Sequence, residues 1–416
     1  MTLPAKCSDQ TEAGNRNPKY NHSMGTLLFA LLFGTVFSDF PGGNVGGVHW
    51  VAENHLRIAV QGQADQDGRN RQANWYYFRV DGASQGQIRI ELVDLVGEYN
   101  YKPGSHAVSK DTHPVYSYDG VTWANFPKVE WDDNAKSLSV RLTPEKSPFW
   151  VAHTPPYTET QLSALESEFD ANPMFQRDSA GKTVEGREMP LWTITDPSIP
   201  TTQKKTIWLM FRQHAWESGS SWVCDGAIRH LLSDEESAAA LRREVVWKIF
   251  PVGDPDGVAH GGVRFNRNGF DLNRNWDSIV PEKMPEIASQ RRAIQEWLAA
   301  GNRIDWFLTL HNTETSEYLE GPAAFRPQVA ALRELLKKES SFNPTRKKPE
   351  DAAASTDPKL KGRMSVNQAL FEDFKIPAML MEQMISRNDK LGGFPSIPMR
   401  RDFGRDLVKA MAKSLR

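Results

Sequence analysis

The stretch KKTIWLMFRQHAWE (204–217) decides the fold of the chain. Its apolar run has the length of a strand that is buried on both faces, and polar residues follow at once. The next segment, SSWVCDGAIRHLLS (220–233), has the pattern of a helix. A buried strand that leads into a helix is the unit from which layered α/β proteins are built.

The same alternation continues to the end of the chain. Further strands are predicted at 245–252, 305–312 and 377–384, and helices at 158–173, 285–301 and near 399–415. We therefore predict an α/β/α domain with a mixed sheet over residues 158–416. Within it, the polar segment 343–363 is rich in breaker residues and predicts a mobile loop.

Residues 37–157 have a different character. Short β-branched and aromatic segments are separated by Asp-Gly pairs and other turn signals. These segments are HLRIAVQG (55–62), NWYYFRVDG (74–82), QIRIELVDL (87–95) and SLSVRLTP (137–144). Strands so close together, without a clear amphipathic helix between them, predict an N-terminal antiparallel β-sandwich. The expected fold class is thus α/β, with this sandwich in front of the α/β/α domain.

Residues 1–36 are expected to form an N-terminal extension or a targeting segment. The apolar run LLFALLFGTVF (27–37) has the length of a signal-peptide core, but a long stretch that contains acidic residues precedes it. The alternative is that the run leads into the first strand. It is too short to span a membrane, and we expect no integral membrane segment. A cytoplasmic location is favoured, with export as the alternative if residues 24–38 act as a signal peptide.

Composition narrows the functional classes. A chain of 416 residues with 39% hydrophobic residues is expected to form two domains. Its 50 basic and 52 acidic residues nearly balance, so we expect no nucleic-acid partner. The two cysteines, Cys7 and Cys224, exclude a disulfide framework and a cysteine-rich metal site. Any metal must therefore bind to histidines and carboxylates.

Polar residues that suit a metal follow two of the buried strands. His214 and Glu217 come after KKTIWLMF, and His311 ends DWFLTL. The ends of strands face the ligand crevice in open α/β sheets, and imidazole and carboxylate both suit Zn²⁺. The alternative for each residue is an ordinary hydrogen-bonded role. Two histidines and a glutamate, however, form the ligand set of a catalytic zinc site with a fourth position for water, so we predict one Zn²⁺ ion here.

The segment DPDGVAHGGVRFNRNGFDLNRNWD (254–277) predicts a carboxylate-binding site. It opens with a turn at residues 254–257. The arginines and asparagines that follow are Arg264, Arg267 and Arg274, with Asn266, Asn268, Asn273 and Asn275. Guanidinium groups bind carboxylates through paired hydrogen bonds, and amides can add donors. The alternative is a solvated loop.

Glu382 lies inside the apolar segment PAMLMEQM (377–384). A buried carboxylate is costly unless it has a partner or a role. Apolar surroundings raise its pKa, which suits a general base that acts on metal-activated water. The alternative is an edge-strand glutamate that faces solvent. Together, the metal, the base and the carboxylate-binding side chains indicate a hydrolase that removes C-terminal residues.

These segments resemble the zinc carboxypeptidase family, and within it the cytosolic-carboxypeptidase-like subgroup. The family's motifs occur in the family's order, as RQHAWE, DPDG, VRFNRNGFDLNRNW, TLHN and LMEQM, and the resemblance extends over residues 37–415. It implies a zinc metallocarboxypeptidase that acts on the C-termini of peptides or proteins. The zinc ligands it implies are His214, Glu217 and His311, and the general base is Glu382.

The resemblance also implies substrate contacts. Arg264 would polarise the scissile carbonyl, and Asn273 and Arg274 would hold the terminal carboxylate. Arg264 is preferred to Arg267 because it lies ten positions before Arg274, as in the subgroup. Between the ligands His214 and Glu217 this chain has Ala-Trp, where the family frequently has Pro-Gly. The larger Trp216 side chain is expected to narrow the site.

The sequence offers alternatives for one substrate contact and for the function. Many family members place a tyrosine over the substrate, whereas Tyr318 is the only tyrosine between His311 and Glu382, and Arg363 is a substitute contact. Two other functions compete with peptide trimming: a zinc amidohydrolase that acts on cell-wall peptides or N-acyl amino acids, and a catalytically inactive binding module.

Overall fold

The computed structural model describes residues 34–82, 86–345, 350–351 and 362–416. Its N-terminal part consists of short strands. They are β1 (Thr35–Phe37), β2 (Val48–Ala52), β3 (His55–Ala59), β4 (Tyr77–Asp81), β5 (Ile88–Val93), β6 (Gly97–Tyr99), β7 (Lys102–Ser105), β8 (Val115–Ser117), β9 (Ala124–Asn125), β10 (Val129–Asp132), β11 (Ser137–Leu142) and β12 (Phe149–Ala152).

These strands form two five-stranded sheets and a separate hairpin. The sheet orders are β1-β4-β12-β8-β9 and β10-β11-β5-β3-β2, and the hairpin pairs β6 with β7. Side chains from both sheets share one core, which includes Phe78, Ile90, Leu138 and Val151. The described pairs in the two sheets are antiparallel apart from β3–β5, which is parallel. The predicted β-sandwich is confirmed.

The C-terminal part alternates strands and helices. The strands are β13 (Phe175–Lys182), β14 (Glu188–Ile194), β15 (Lys205–Phe211), β16 (Val245–Phe250), β17 (Trp306–Thr313), β18 (Tyr318–Gly321), β19 (Glu350–Asp351) and β20 (Ala378–Met384). The helices are α1 (Glu159–Glu168), α2 (Ser218–Leu231), α3 (Glu236–Glu244), α4 (Pro255–Ala259), α5 (Pro285–Ala299), α6 (Arg326–Glu339), α7 (Val366–Phe374) and α8 (Ile397–Lys413).

One eight-stranded sheet organises this part, in the order β13-β14-β16-β15-β17-β20-β18-β19. The four central strands are parallel, whereas β14 and β18 run antiparallel to their neighbours. Helices cover both faces: Val223 of α2 and Leu407 of α8 pack on one face, and Ile287 of α5 and Leu370 of α7 pack on the other. The predicted α/β/α architecture with a mixed sheet is therefore confirmed.

The apolar sequence of strand β15 is explained by burial of both faces of the strand. Ile207 and Leu209 enter the core on one face of the sheet, and Trp208 and Met210 enter the core on the other. All four are fully buried, so both faces of the strand must be apolar. Each such side chain contributes about 1.5–3 kcal/mol when it leaves water.

Some predictions need correction or fall outside the described residues. The turn predicted at residues 254–257 is the start of helix α4, because the Asp254 side chain accepts from Gly257 N and Pro255 occupies the first turn. Most of the predicted loop 343–363 is not described, but β19 within it pairs with β18. The apolar run 27–37 is described only from residue 34, where it enters β1. Among the described residues, no helix has the length and apolar character needed to cross a membrane.

Candidate metal centre and active site

A short loop after β15 carries the first two predicted ligands. Arg212 has a left-handed backbone conformation (φ 56°) that turns the chain away from the strand. Its buried guanidinium donates to Ala215 O at 2.8 Å and to Ser221 Oγ at 3.0 Å. These bonds brace the loop, so His214 is held near Glu217, which immediately precedes helix α2.

The structure brings the three predicted metal ligands together. His214 Nδ1 lies 2.7 Å from Glu217 Oε1, and His311 Nδ1 lies 2.9 Å from Glu217 Oε2. One ligand atom from each residue lies within 4.8 Å of the other two. All three side chains are buried. The carboxylate of Glu217 therefore faces the Nδ1 atoms of both imidazoles.

Hydrogen bonds on the far side of each imidazole fix its orientation. His214 Nε2 lies 3.0 Å from Asp271 Oδ1, a carboxylate that can only accept, so a metal ion at Nδ1 would leave the ring proton on Nε2. His311 Nε2 lies 3.0 Å from Thr309 Oγ1, whose hydroxyl donates to Gln213 Oε1 at 2.7 Å. The threonine oxygen can then accept from His311 Nε2 when that nitrogen carries the ring proton. Both rings thus point Nδ1 toward Glu217, and with their protons on Nε2 they would offer both Nδ1 lone pairs to a metal ion.

The chemistry of these donors fits a zinc ion. Two imidazole nitrogens and a carboxylate converge in a buried space, and two histidines with a glutamate form the ligand set of a catalytic zinc site. Burial and the charge of Arg264 would lower the pKa of His214, yet the carboxylates of Glu217 and Asp271 raise it. The site therefore attracts positive charge, and its nitrogen and oxygen donors are those that zinc prefers.

A cavity of about 600 Å³ opens beside the predicted ligands. It contains every residue predicted to act on the substrate. Its lining comprises Asn100, Tyr101, His214, Arg264, Asn273, Arg274, Tyr318, Glu320, Arg363, Ser365, Gln368, Leu380 and Glu382. The carboxyl ends of the parallel strands β15, β17 and β20 thus face one cleft, as expected for an open α/β sheet.

Glu382 is aligned with His311 on the neighbouring strand and lines this cavity. Strand β20 lies between β17 and β18, so the alternative of an exposed edge strand is wrong. Glu382 Oε2 is buried and has no hydrogen-bond partner among the described residues. Burial, and next the charge of Glu217, raise the pKa of this carboxyl well above its ordinary value. A carboxyl group with a raised pKa holds a proton more strongly than an ordinary glutamate does, which suits a general base.

The predicted substrate-binding residues lie close to the ligands. Arg264 Nε donates to Asp271 Oδ2 at 2.7 Å, so one carboxylate bridges Arg264 and His214. Arg274 Nη1 donates to Asn273 O at 2.7 Å. Asn273 Nδ2 lies 3.2 Å from His311 Nε2. The two arginines and the asparagine therefore border the same cleft.

Two nearby residues lie elsewhere than the motif suggests. Arg267, the less favoured arginine, is half exposed and donates to Glu185 on the surface. Trp216 was expected to narrow the site, but it packs in a buried cluster with Trp75 and Val263. The expectation for Trp216 is wrong because its ring turns toward the β-sandwich.

Several residues around the predicted ligands and the cleft were not predicted from the sequence. Thr309 lies two residues before His311, and the period of a strand places both on one face, so this contact could have been predicted. Asp271 lies within the FDLNR motif, but the motif does not predict that its carboxylate contacts both His214 and Arg264. Asn100 and Tyr101 come from the β6–β7 hairpin of the sandwich, and no sequence signal connects them with the ligands.

Comparison with known proteins yields consistent matches. Residues 168–338 match a family described as zinc carboxypeptidase, and residues 36–153 match the cytosolic carboxypeptidase N-terminal domain. An uncharacterised protein of Zymomonas mobilis is 24% identical over 388 residues, which cover 90% of this chain and 95% of that protein. Mouse cytosolic carboxypeptidase 6 is 35% identical over 265 residues, which cover 61% of this chain and 48% of that protein. The chain thus spans about half the length of the mouse relative.

A solved structure shows the same fold over both parts of the chain. It is a metallo-carboxypeptidase from Burkholderia cenocepacia, with a TM-score of 0.78 and 24% identity. The match covers 92% of this chain and 99% of the other. The arrangement of a β-sandwich in front of an α/β/α domain is therefore shared.

Proposed function

Because the chain belongs to the zinc carboxypeptidase family and is a metallocarboxypeptidase, we propose that it removes single residues from the C-termini of peptides or proteins. One Zn²⁺ ion would be held by His214, Glu217 and His311. The observation that carries this proposal is the convergence of the two Nδ1 atoms on the Glu217 carboxylate. We also propose a cytoplasmic location, which the naming of the mouse relative as cytosolic supports.

A bound zinc ion would lower the pKa of a water molecule and polarise the scissile carbonyl. The residues around it would prepare the site for this chemistry. Asp271 and Thr309 hold the two imidazoles so that their Nδ1 atoms remain available. Burial of all three ligand side chains excludes bulk water from their contacts.

We infer that Glu382 moves the proton. Its Oε2 atom would accept a proton from the water that attacks the carbonyl, and would then give this proton to the leaving amine. The raised pKa makes the Glu382 carboxylate a stronger proton acceptor than an ordinary glutamate, which favours the first transfer. The lack of a competing hydrogen bond at Oε2 among the described residues leaves this atom available for water.

Two guanidinium groups would hold the substrate. Arg264 would stabilise the negative charge that develops on the carbonyl oxygen, since its Nε is already fixed by Asp271. Arg274, with Asn273 beside it, would bind the terminal carboxylate. A requirement for this carboxylate would restrict cleavage to the last residue of a chain.

Profiling of a peptide library by mass spectrometry tests the proposal. The wild type is expected to remove single C-terminal residues, and Glu382→Gln to lose about 10²–10⁴-fold in rate with its zinc content unchanged. The matched control is Glu372→Gln, an exposed glutamate on α7, which should retain the wild-type rate. Internal cleavage, or equal rates for Glu382→Gln and wild type, would contradict the proposal. Faster turnover of N-acyl amino acids than of peptides would favour an amidohydrolase.

A further inference from the structure

The β-sandwich packs closely against the segment that carries Arg264. Gly42 N donates to Ala259 O at 3.0 Å, and Gln66 N donates to Gly269 O at 3.0 Å. At Gly261 (φ 64°), a Cβ atom would lie 2.4 Å from Gly43 O. Only glycine permits so close an approach of the two backbones in this conformation. The sandwich therefore forms the back wall of this segment.

Gln63 makes the most extensive single contact across this boundary. Its Oε1 accepts from three successive backbone N–H groups, those of Val263 (2.9 Å), Arg264 (2.6 Å) and Phe265 (2.9 Å). Its Nε2 donates to Phe265 O at 2.7 Å. One glutamine amide therefore makes four hydrogen bonds to three consecutive residues. Such a contact fixes the backbone at Arg264 from one side.

Both sides of this contact are themselves fixed. The backbone of Gln63 exchanges two hydrogen bonds of 2.9 Å with Gln72, so the glutamine stands on a paired segment. On the opposite side, Val263 O accepts from Trp216 N at 3.0 Å, within the loop between His214 and Glu217. The residues around Arg264 are thus held between the sandwich and the ligand loop.

We propose that Gln63 is a positioning residue for Arg264, so that the β-sandwich forms part of the catalytic machinery. This inference rests on the proposed function, in which Arg264 stabilises the developing oxyanion. Gln63 fixes the backbone of Arg264, and Asp271 fixes its Nε. Because its backbone and its Nε are both fixed, the Arg264 guanidinium is already in place before the negative charge develops. Such preorganisation is the condition for effective oxyanion stabilisation.

Glutamine is suited to this task because its amide both accepts and donates. In Gln63→Ala all four hydrogen bonds are lost. Gln63→Glu keeps the oxygen that accepts from the three N–H groups, but it places a carboxylate oxygen against Phe265 O in place of the donor. The glutamate variant is therefore expected to retain more activity than the alanine variant. The expected order of kcat is wild type, then Gln63→Glu, then Gln63→Ala.

The kinetic test compares these variants on a peptide that the wild type cleaves. Gln63→Ala is expected to lower kcat about 10- to 100-fold with little change in KM and in zinc content. Gln61→Ala, an exposed glutamine two residues away, and Arg267→Ala, the surface arginine, are the controls and should keep wild-type kinetics. In an Arg264→Ala background, Gln63→Ala should cost less than about 2-fold, because the two residues act as one unit.

A second readout does not depend on turnover. Hydrogen–deuterium exchange at the amides of residues 263–265 should be faster in Gln63→Ala than in the wild type, with other amides of the α/β domain unchanged. This pattern separates a local loss of positioning from general unfolding.

Two kinetic comparisons of the variants would overturn the inference. One is a wild-type kcat in Gln63→Ala while Arg264→Ala is impaired; the other is independent, multiplying effects of the two substitutions. Wild-type exchange at residues 263–265 would remove its structural basis. If Arg264→Ala itself keeps the wild-type kcat, the role of Arg264 in the proposed function fails, and the role of Gln63 fails with it.

Discussion

Glu317 is a buried carboxylate directly before Tyr318, which lines the cleft. Its Oε2 accepts from Asn388 Nδ2 at 3.1 Å. Burial raises the pKa of Glu317 from 4.5 to about 7, although the charge of Arg400 opposes this shift. The folded protein therefore keeps a proton on Glu317 over a pH range in which the unfolded chain has lost it.

This difference predicts a pH-dependent stability. Between about pH 4.5 and pH 7 the folded state binds one proton more than the unfolded state, so the free energy of unfolding falls as the pH rises. Glu317→Gln removes the titration. The variant is expected to gain on the order of 2 kcal/mol relative to the wild type when the pH is raised from about 5 to about 8. Thermal unfolding at both pH values measures this change, with the exposed Glu372→Gln as control. An equal difference at both pH values would refute the assignment.

At the scale of elements, the β6–β7 hairpin connects the sandwich with the cleft. Asn100 and Tyr101 form its tip, and both have positive φ angles (47° and 62°), as a tight two-residue turn requires. The Tyr101 ring lies 5.0 Å from the Arg69 guanidinium and 4.9 Å from that of Arg363. The ring is thus held by cations from both parts of the chain.

This arrangement predicts that the hairpin contributes to substrate affinity. Tyr101→Ala is expected to raise KM several-fold, corresponding to about 1 kcal/mol of lost contact, with kcat changed less than about 2-fold. Steady-state kinetics on a cleaved peptide tests this. Val121→Ala, which removes an exposed side chain from another loop of the sandwich, is the control. An unchanged KM, or a fall in kcat alone, would show that the hairpin does not contact the substrate.

Some elements could be predicted from sequence and others could not. Strands β15 and β16 are buried on both faces and read as continuous apolar runs, so they stand out. Strand β13, FQRDSAGK, is mostly exposed and has no such run. Helix α4 has only five residues and begins with Pro, so its sequence looks like a turn. An element can be recognised from its sequence when its burial requires a pattern of apolar residues, whereas backbone conformation alone leaves no such pattern.

At the scale of the whole molecule, zinc is expected to stabilise the fold. The two imidazoles and the Glu217 carboxylate converge only in the folded protein, so zinc is expected to bind the folded state and not the unfolded chain. A free zinc concentration about 1,000 times its dissociation constant stabilises by about 4 kcal/mol, which raises Tm by a few degrees.

Thermal unfolding with a chelator, and then with zinc restored, measures this effect alongside activity. His311→Ala should abolish the response to zinc. His260→Ala is the matched control, since this half-exposed histidine contacts Glu185 at the surface. A Tm that zinc does not change, in protein shown to contain no metal, would contradict the predicted site.

The sequence by itself determined what depends on local order and residue type. Continuous apolar runs specify buried strands wherever they are placed, so the α/β/α layers followed from segments such as 204–213. The candidate ligands His214, Glu217 and His311 were also recognisable, because few residue types bind zinc and these stand at strand ends.

Only the tertiary structure decided how these residues meet. It showed that both imidazoles direct Nδ1 toward Glu217, and that Asp271 joins His214 to Arg264. It also brought Gln63, from the β-sandwich part of the chain, to the backbone of Arg264, some 200 residues later. Hydrogen bonds act over about 3 Å and depend on direction. Contacts of that kind exist only once distant segments are packed, and no pattern along the chain encodes them separately.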